Sequence, residues 1–412
     1  MERVVITGMG VVSPLGNNID NFWNGLIQGK SGIAKIVSFD PSEYKSQIAG
    51  EVKDFNGELL FGRKEAKRME RFCQFALAAA EQAFADSGLS PEQTNLERMG
   101  VIVGSGVGGI QLLIDQGGVL SNRGPDRVSP SLVPMMISNM AAAIISMKYG
   151  ALGSTMSPVT ACSIGNTSIG EAFRAIRHGY LDTAIAGGTE AAISGISLAS
   201  FGNATALSTR NSEPAQASRP FDANRDGFVM SEGAGILILE SLSHAKKRNA
   251  RIYAEVIGYG ASSDAYHMVA THPEGTGAYQ AMNMALSDAG IRTDEVDVIS
   301  AHATSTIVGD RSETKAIKKL FGSDAYRIPV TANKSMTGHL LGASSAVEAI
   351  ALIKTLETGL IPPTINQEQQ DPECDLDYVP NHVREGNIEI GISNSFGFGG
   401  HNAVIALRSY RG

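Results

Sequence analysis

Three short patterns occur twice along this chain, in the same order. Val5-Ile6-Thr7-Gly8-Met9-Gly10 is echoed by Val256-Ile257-Gly258-Tyr259-Gly260, and Val101-Ile102-Val103-Gly104-Ser105-Gly106 by Val298-Ile299-Ser300-Ala301-His302-Ala303. Pro158-Val159-Thr160-Ala161 returns as Pro329-Val330-Thr331-Ala332, each time followed by a Gly/Ser-rich turn and an Ala-rich helical stretch. Chance readily produces one such match, but less readily three collinear ones. The chain therefore divides into two similar halves, residues 1–250 and 251–412, fused into one unit.

Within each half, β-branched runs alternate with helical stretches, the pattern of a layered α/β fold. Strands are expected at Arg3–Thr7, Gly100–Val103, Thr183–Ala186, Ile236–Glu240, Arg251–Ile257, Val296–Ser300 and Ile388–Ile392. Helices are expected at Lys64–Ser87, Ser163–Arg177, Gly277–Ala289, Ser312–Leu320 and Ser344–Thr358. The three cysteines, Cys73, Cys162 and Cys374, cannot all pair within one chain. That excludes a disulfide scaffold and favours a reducing, cytoplasmic location. A formal charge of −8 argues against a general nucleic-acid binder. The chain opens on Met1-Glu2-Arg3 and runs directly into Val4–Thr7, so no secretory signal is expected. Val128–Met147 carries no charge but holds Pro130, Pro134 and Asn139, which suits a core or an interface better than a membrane span.

Some glycine motifs mimic nucleotide loops. Gly8-x-Gly10 and Gly104-x-Gly106-x-Gly108-Gly109 each follow a strand candidate. A dinucleotide loop needs an acidic residue about 20 positions on, at the end of a second strand. Asp40 and Glu43 flank Pro41 too far along, and Asp126 sits between Pro125 and Arg127, so close approach of backbone to backbone is the better reading. Gly25 to Gly29-Lys30-Ser31 has three intervening residues where a phosphate loop has four. No Gly-x-Ser-x-Gly elbow supports a serine hydrolase.

Chemistry concentrates elsewhere. Cys162 lies between a strand candidate and a helix candidate, where a helix N-terminus would stabilise its thiolate. The bland alternative, an inert buried thiol, suits Cys73 in a helical apolar stripe and Cys374 among Asp371, Glu373 and Asp375. His302 directly follows the strand candidate Val296–Ser300, and His339 sits in Lys334-Ser335-Met336-Thr337-Gly338-His339. The repeat puts Cys162 and the Lys334–His339 turn at equivalent places, so the two can face each other near a pseudo-twofold axis. Gly397, Gly399 and Gly400, around Phe398, permit a turn that aims amide N–H groups at an oxyanion; a plain tight turn is the alternative.

With these segments in view, the whole chain resembles the β-ketoacyl-acyl-carrier-protein synthases, of the elongating type II class. The resemblance runs from Val4–Gly10 through Ser218-Arg219-Pro220-Phe221-Asp222 and Arg225-Asp226-Gly227-Phe228-Val229 to Gly397-Phe398-Gly399-Gly400; Ala301–Thr306 and Lys334–Gly342 are its most specific parts. It implies the thiolase fold, a duplicated α-β-α-β-α arrangement of five layers, in a homodimer. The half carrying Cys162 would be residues 1–250, and that carrying His302 and His339 residues 251–412. By the resemblance Cys162 is the nucleophile, and it takes an acyl chain from acyl carrier protein. His302 and His339 bind the malonyl thioester carbonyl and promote decarboxylation. The N–H groups of Cys162 and Phe398 form the oxyanion hole, with Phe398 also a gate. Lys334 and Glu348 are a supporting charged pair. Thr304 and Thr306 hold the phosphopantetheine arm, and Val107, Val133 and Phe201 form the acyl pocket, Val133 reaching across the dimer. Lys64, Lys67, Arg68, Arg71 and Arg127 match the docking patch for the acidic carrier; helical spacing puts the first four on one face. The resemblance implies no metal or cofactor beyond the carrier's own arm, no nucleic acid and no membrane.

Departures from the family pattern are few. Ala303 replaces the usual glycine, Ile307 a frequent proline, and Ser344-Ser345 small apolar residues; Asp126 and Thr205 stand where relatives often carry basic residues. A biosynthetic thiolase would need a second cysteine where Phe398 stands, a starter-type synthase usually has asparagine at His339, and a non-catalytic chain-length partner typically lacks Cys162. A type I synthase or a cysteine-bearing polyketide ketosynthase stays open. Chain-length preference is not legible.

Overall fold

Ten strands join in one continuous sheet in the computed structural model, which describes residues 1–411. They are β1 (Val4–Val12), β2 (Met99–Gly104), β3 (Thr155–Met156), β4 (Thr183–Glu190), β5 (Gly233–Ser241), β6 (Ala254–Ser263), β7 (Val298–Ser300), β8 (Val330–Thr331), β9 (Ile390–Gly397) and β10 (His401–Ser409). Across the sheet the order is β8-β7-β9-β10-β6-β1-β5-β4-β2-β3. Each strand of the first half thus has a counterpart five strands later. The two half-sheets meet where β1 and β6 pair antiparallel. Strand directions repeat as well: β2 is parallel to β3 and β4, and β7 to β8 and β9, while the remaining pairs are antiparallel.

The duplication extends to single residues. The β1–β5 register slips between Ile6 and Gly8, and the β6–β10 register slips between Val256 and Gly258. Each bulge leaves one residue without a ladder partner, Thr7 in one half and Ile257 in the other. Just beyond it, the Met9 amide donates to Asp86 Oδ2 at 2.9 Å, and the Tyr259 amide to Asp288 Oδ2 at 3.0 Å. The Gly-x-Gly pattern has the same explanation in both halves. A Cβ on Gly10 would lie 1.9 Å from the Ala79 carbonyl oxygen, and one on Gly260 would lie 2.0 Å from that of Ala281. These glycines let a helix lie directly on a strand, so the backbone-approach reading of Gly8-x-Gly10 holds.

Five helices complete the layers: α1 (Arg71–Ser87), α2 (Ile164–Arg177), α3 (Thr276–Ala289), α4 (Ile307–Phe321) and α5 (Ser344–Thr358). The helices α2 and α5 cross in the middle layer and touch both half-sheets; α1 covers the outer face of one half-sheet and α3, beside α4, that of the other. Position in the layers explains composition. The middle helix α5 is buried on nearly every side, Glu348 included.

One expectation changes. The single helix over Lys64–Ser87 divides into a short turn, Arg63–Ala66, and α1. Across the break the Gln74 side-chain amide donates to the carbonyls of Ala66 and Met69, at 3.0 and 2.9 Å, replacing the helical bonds those groups lose. The charged residues before and after it therefore do not form one continuous helical face. Val128–Met147 becomes two short helices, Leu132–Met136 and Met140–Tyr149, with Ala141, Ala142 and Ile145 buried. Among the described residues no helix is long and apolar enough to cross a membrane.

Candidate active site

Cys162 occupies a single tight turn, Ala161–Ser163, that leads into α2. Ala161 has φ +51° there. The matching turn in the other half is Leu341–Ala343, leading into α5, with Leu341 at φ +49°. The counterpart of Cys162 is therefore Gly342, three residues beyond the Lys334–His339 turn that the sequence repeat pointed to. The crossing of α2 and α5 is tight: a Cβ on Gly165 would lie 2.2 Å from the Ala346 nitrogen. The Cys162 turn is tied to β9, because Ser395 Oγ donates to the Cys162 carbonyl at 2.9 Å.

His339 is held by its backbone, whose N–H donates to the Val229 carbonyl at 2.7 Å. Its Nε2 lies 3.1 Å from Cys162 Sγ and its Nδ1 2.8 Å from Ser344 Oγ. A proton donated by Ser344 to Nδ1 leaves the ring proton on Nε2, facing the sulfur. His302 stands beside it, with ring centroids 5.6 Å apart and planes at 86°. Its Nδ1 is buried with no protein partner. The His302 loop hangs on Glu313, which accepts the amide N–H groups of His302 and Ala303 at 2.9 and 2.8 Å. In that loop Ala303 has φ +31° and Ser305 φ +71°. The loop is clamped from behind by the Arg219–Arg225 segment. Arg219 N–H donates to Ser305 Oγ at 2.9 Å, and the Arg225 guanidinium to the carbonyls of Thr306 and Ile307 at 3.1 and 3.0 Å.

The electrostatics correct one expectation. Burial pushes the Cys162 thiol up to about 11, against the charge of Lys334 and the amides of Phe398 and Cys162, which act the other way. Loss of hydration is the largest influence, and the Glu190 carboxylate adds to it, so the thiol form is favoured. Both imidazoles are driven well below their ordinary value, first by burial and then by Lys334, and are neutral at pH 7. Lys334 Nζ donates to Glu348 Oε1 at 2.6 Å, both groups being buried. Burial raises Glu348 to about 7 despite that contact.

Cys162, His302, His339, Val107, Phe201, Thr304, Thr306 and Phe398 all line one cavity of about 520 Å³. The hydroxyls of Thr304 and Thr306 are 3.1 Å apart. Phe398 is 38% exposed, its ring 6.1 Å from that of Phe201. Positive φ at Gly399 and Gly400, +81° and +75°, turns the chain so that the Phe398 amide faces Sγ. Val133 lies outside the cavity and is 61% exposed. Of the basic residues, Lys64, Lys67 and Arg127 are exposed, and Arg68 lies 3.5 Å from Glu65. Arg71 is exposed as well, and its guanidinium binds Glu232 at 3.0 and 2.6 Å and lies 4.5 Å from the Phe75 ring centroid.

Sequence reasoning missed Glu313, Glu190 and the role of Ser344. Ser344 was legible as a departure in the His339 segment, but its contact with the ring needs the turn at Leu341–Ala343. Glu313 and Glu190 carried no motif; only the fold brings them to the site.

Comparisons with known proteins agree with this geometry. "Beta-ketoacyl synthase, N-terminal domain" matches residues 1–245, and "Beta-ketoacyl synthase, C-terminal domain" matches residues 253–368. A Synechocystis protein named 3-oxoacyl-[acyl-carrier-protein] synthase 2 is 49% identical over 410 residues, covering 100% of this chain and 99% of that protein. A Coxiella burnetii protein of the same name is 49% identical over 98% of each chain. Among solved structures, a type II PKS ketosynthase in complex with its acyl-carrier protein superposes with a TM-score of 0.91 at 38% identity, over 100% of both chains. A beta-ketoacyl synthase from Burkholderia phymatum gives 0.92 at 36%, again over 100% of both. Two domain matches in tandem, relatives nearly half identical from end to end, and the duplicated layers of the thiolase fold leave one conclusion: this chain belongs to the beta-ketoacyl synthase family.

Proposed function

We propose that the protein is an elongating 3-oxoacyl-[acyl-carrier-protein] synthase, an acyltransferase that condenses malonyl units with acyl primers in fatty-acid synthesis. The observation that carries this reading is the placement of Cys162 Sγ, 3.1 Å from His339 Nε2 and faced by the amides of Cys162 and Phe398. In the first half-reaction Cys162 attacks the primer thioester. The new C–S bond forms as the carrier thiolate leaves, and the cysteine proton goes to that leaving sulfur. The carbonyl oxygen gathers charge against the two amides; removing one such donor typically costs about 10²–10³ in rate.

In the second half-reaction the malonyl thioester carbonyl lies against the two imidazoles. Neutral rings donate hydrogen bonds to the oxygen of the developing enolate without giving up a full proton. Carbon dioxide leaves, and the enolate carbon attacks the acyl carbon on Cys162. The C–S bond breaks, the Cys162 thiolate takes up a proton from solvent to restore the thiol, and the product is a 3-oxoacyl thioester two carbons longer than the primer. Lys334, held by Glu348, sits behind the site, and its positive charge favours the neutral rings. Thr304 and Thr306 suit an arm that enters along the cavity, and Val107 and Phe201 line room for the primer.

The acyl carrier protein is the proposed partner, docking on Lys64, Lys67, Arg68, Arg71 and Arg127; the solved type II PKS relative is bound to its own carrier. The active unit is proposed to be a homodimer, with Val133 reaching the neighbouring pocket. A polyketide ketosynthase is the second reading, because solved polyketide relatives match at 38% identity. The 47–49% identity to proteins named for synthase 2 favours the fatty-acid reading. Purified protein supplied with acyl- and malonyl-carrier protein is expected to release CO₂ and one 3-oxoacyl product. Repeated condensation without reduction would favour the polyketide reading, and no product would sink both.

A further inference from the structure

Glu190, the last residue of β4, is completely buried and borders the Cys162 cavity. Its four contacts are all uncharged donors. Ser105 O–H and Val107 N–H donate to Oε1 at 2.8 and 3.1 Å, and Gly106 N–H and Gly342 N–H donate to Oε2 at 3.0 and 3.1 Å. A buried carboxylate without a cation needs such a set of donors to persist. Burial raises its pKa, and the four donors act against that rise.

The internal repeat explains where this cradle comes from. Glu190 ends β4 as Gly397 ends β9, and Gly342 corresponds to Cys162. Beside the Cys162 turn the strand-end residue is Gly397, from the second half; a Cβ there would lie 3.0 Å from the Cys162 nitrogen. With no side chain at Gly397, the Cys162 amide stays free for a substrate oxygen. At the matching turn of the second half the equivalent amide, Gly342 N–H, is already taken by the first half's Glu190 carboxylate. The Gly106–Gly109 loop joined to that carboxylate is a partition. Gly106 and Val107 face the Cys162 cavity, while Gly108 and Gly109 line a second cavity of about 660 Å³.

We propose that Glu190 is a positioning residue for primer selection: its carboxylate fills the cradle made by Ser105, Gly106, Val107 and Gly342, and fixes the Val107 partition of one half to the Gly342 turn of the other. The part concerning primers rests on the condensing function proposed above. Amide substitution is not neutral here. A glutamine at this position must turn its NH₂ against at least one N–H donor, whichever way it faces.

The test pairs Glu190→Ala with Glu190→Gln. Glu190→Ala is expected to melt below wild type, and sodium formate, which supplies a carboxylate to the vacated cradle, is expected to raise its melting temperature. Sodium chloride at equal ionic strength is not, and wild type is not expected to respond to formate. This arm needs no catalysis, so it stands apart from the condensing function. In assays from butyryl to palmitoyl primers, both variants are expected to shift the ratio of long- to short-primer kcat/KM by about tenfold. Wild type in the same assay shows whether the condensing function itself holds. Formate leaving Glu190→Ala unchanged, or both variants keeping the wild-type primer ratio, would overturn the proposal. Where Glu190→Ala does not fold, Glu190→Gln decides alone: an altered ratio supports the proposal and an unaltered one overturns it.

Discussion

At the residue scale the site is a neutral thiol beside two neutral imidazoles, held so by burial. Cys162, with burial raising it to about 11, gains nucleophilicity from the substrate-bound site and not from a resting thiolate. Alkylation of the free enzyme by iodoacetamide is therefore expected to keep climbing through pH 9. A plateau below pH 7 would indicate a thiolate–imidazolium pair instead. The histidines link the site to stability. An unfolded histidine takes up a proton near pH 6.5, whereas His302 and His339 do so only well below it. For these two groups the unfolded state binds more protons in that interval, so the stability they contribute is fully present above pH 6.5 and falls as the pH drops through it. Glu348 and Asp310, raised by burial to about 7, take up protons in the same interval and act in the opposite sense, so the histidine contribution is read as a difference: from pH 7.5 to 5.5 the melting temperature of wild type is expected to drop relative to those of His302→Asn and His339→Asn. A wild-type curve parallel to those of the variants would contradict the burial argument.

At the element scale the fold depends on close approach. Gly165→Ala places a Cβ 2.2 Å from the Ala346 nitrogen, which only a shift of α2 against α5 relieves. Overpacking of this kind costs roughly 1–3 kcal/mol, and Cys162 lies three residues away. The substitution is expected to lower the melting temperature and condensation together. Wild-type values of both would show that the crossing is loose. Much of this scale is legible in the sequence. The Gly-x-Gly echoes mark β1 and β6 by their spacing alone, and the Pro-Val-Thr-Ala echoes mark the two entrances to the middle layer. The Cys162, His302 and His339 segments are legible because each follows a strand and carries a reactive side chain. What is not legible depends on contacts across the halves. Glu313 supports the His302 loop from α4, Ser344 meets His339 only because of a turn between them, and the break before α1 depends on the Gln74 side chain. Arg71 has docking-face spacing in the sequence, but its bond to Glu232, far along the chain, does not show there.

At the scale of the whole molecule the sheet has one open end at β3, whose Thr155 and Met156 are both exposed. The chain before and after it leaves Leu113, Leu120, Val133, Met147, Leu152 and Val159 exposed too. Apolar groups concentrated along one stretch mark an interaction surface, and a second copy of the chain covers it in the proposed homodimer. Sedimentation is expected to give twice the 43.4 kDa chain mass. Val133→Asp is expected to shift the protein toward monomer, and a monomeric wild type would contradict the dimer. The central claim joins all three scales: a duplicated fold places one cysteine where an acyl chain is taken and then passed on. Intact-mass analysis after incubation with acyl carrier protein tests it most directly. The account predicts a gain of one acyl group, mapped to the peptide containing Cys162, absent from Cys162→Ala and discharged when malonyl-carrier protein is added. An adduct on Cys73 or Cys374, or a Cys162→Ala protein that condenses at the wild-type rate, would contradict it.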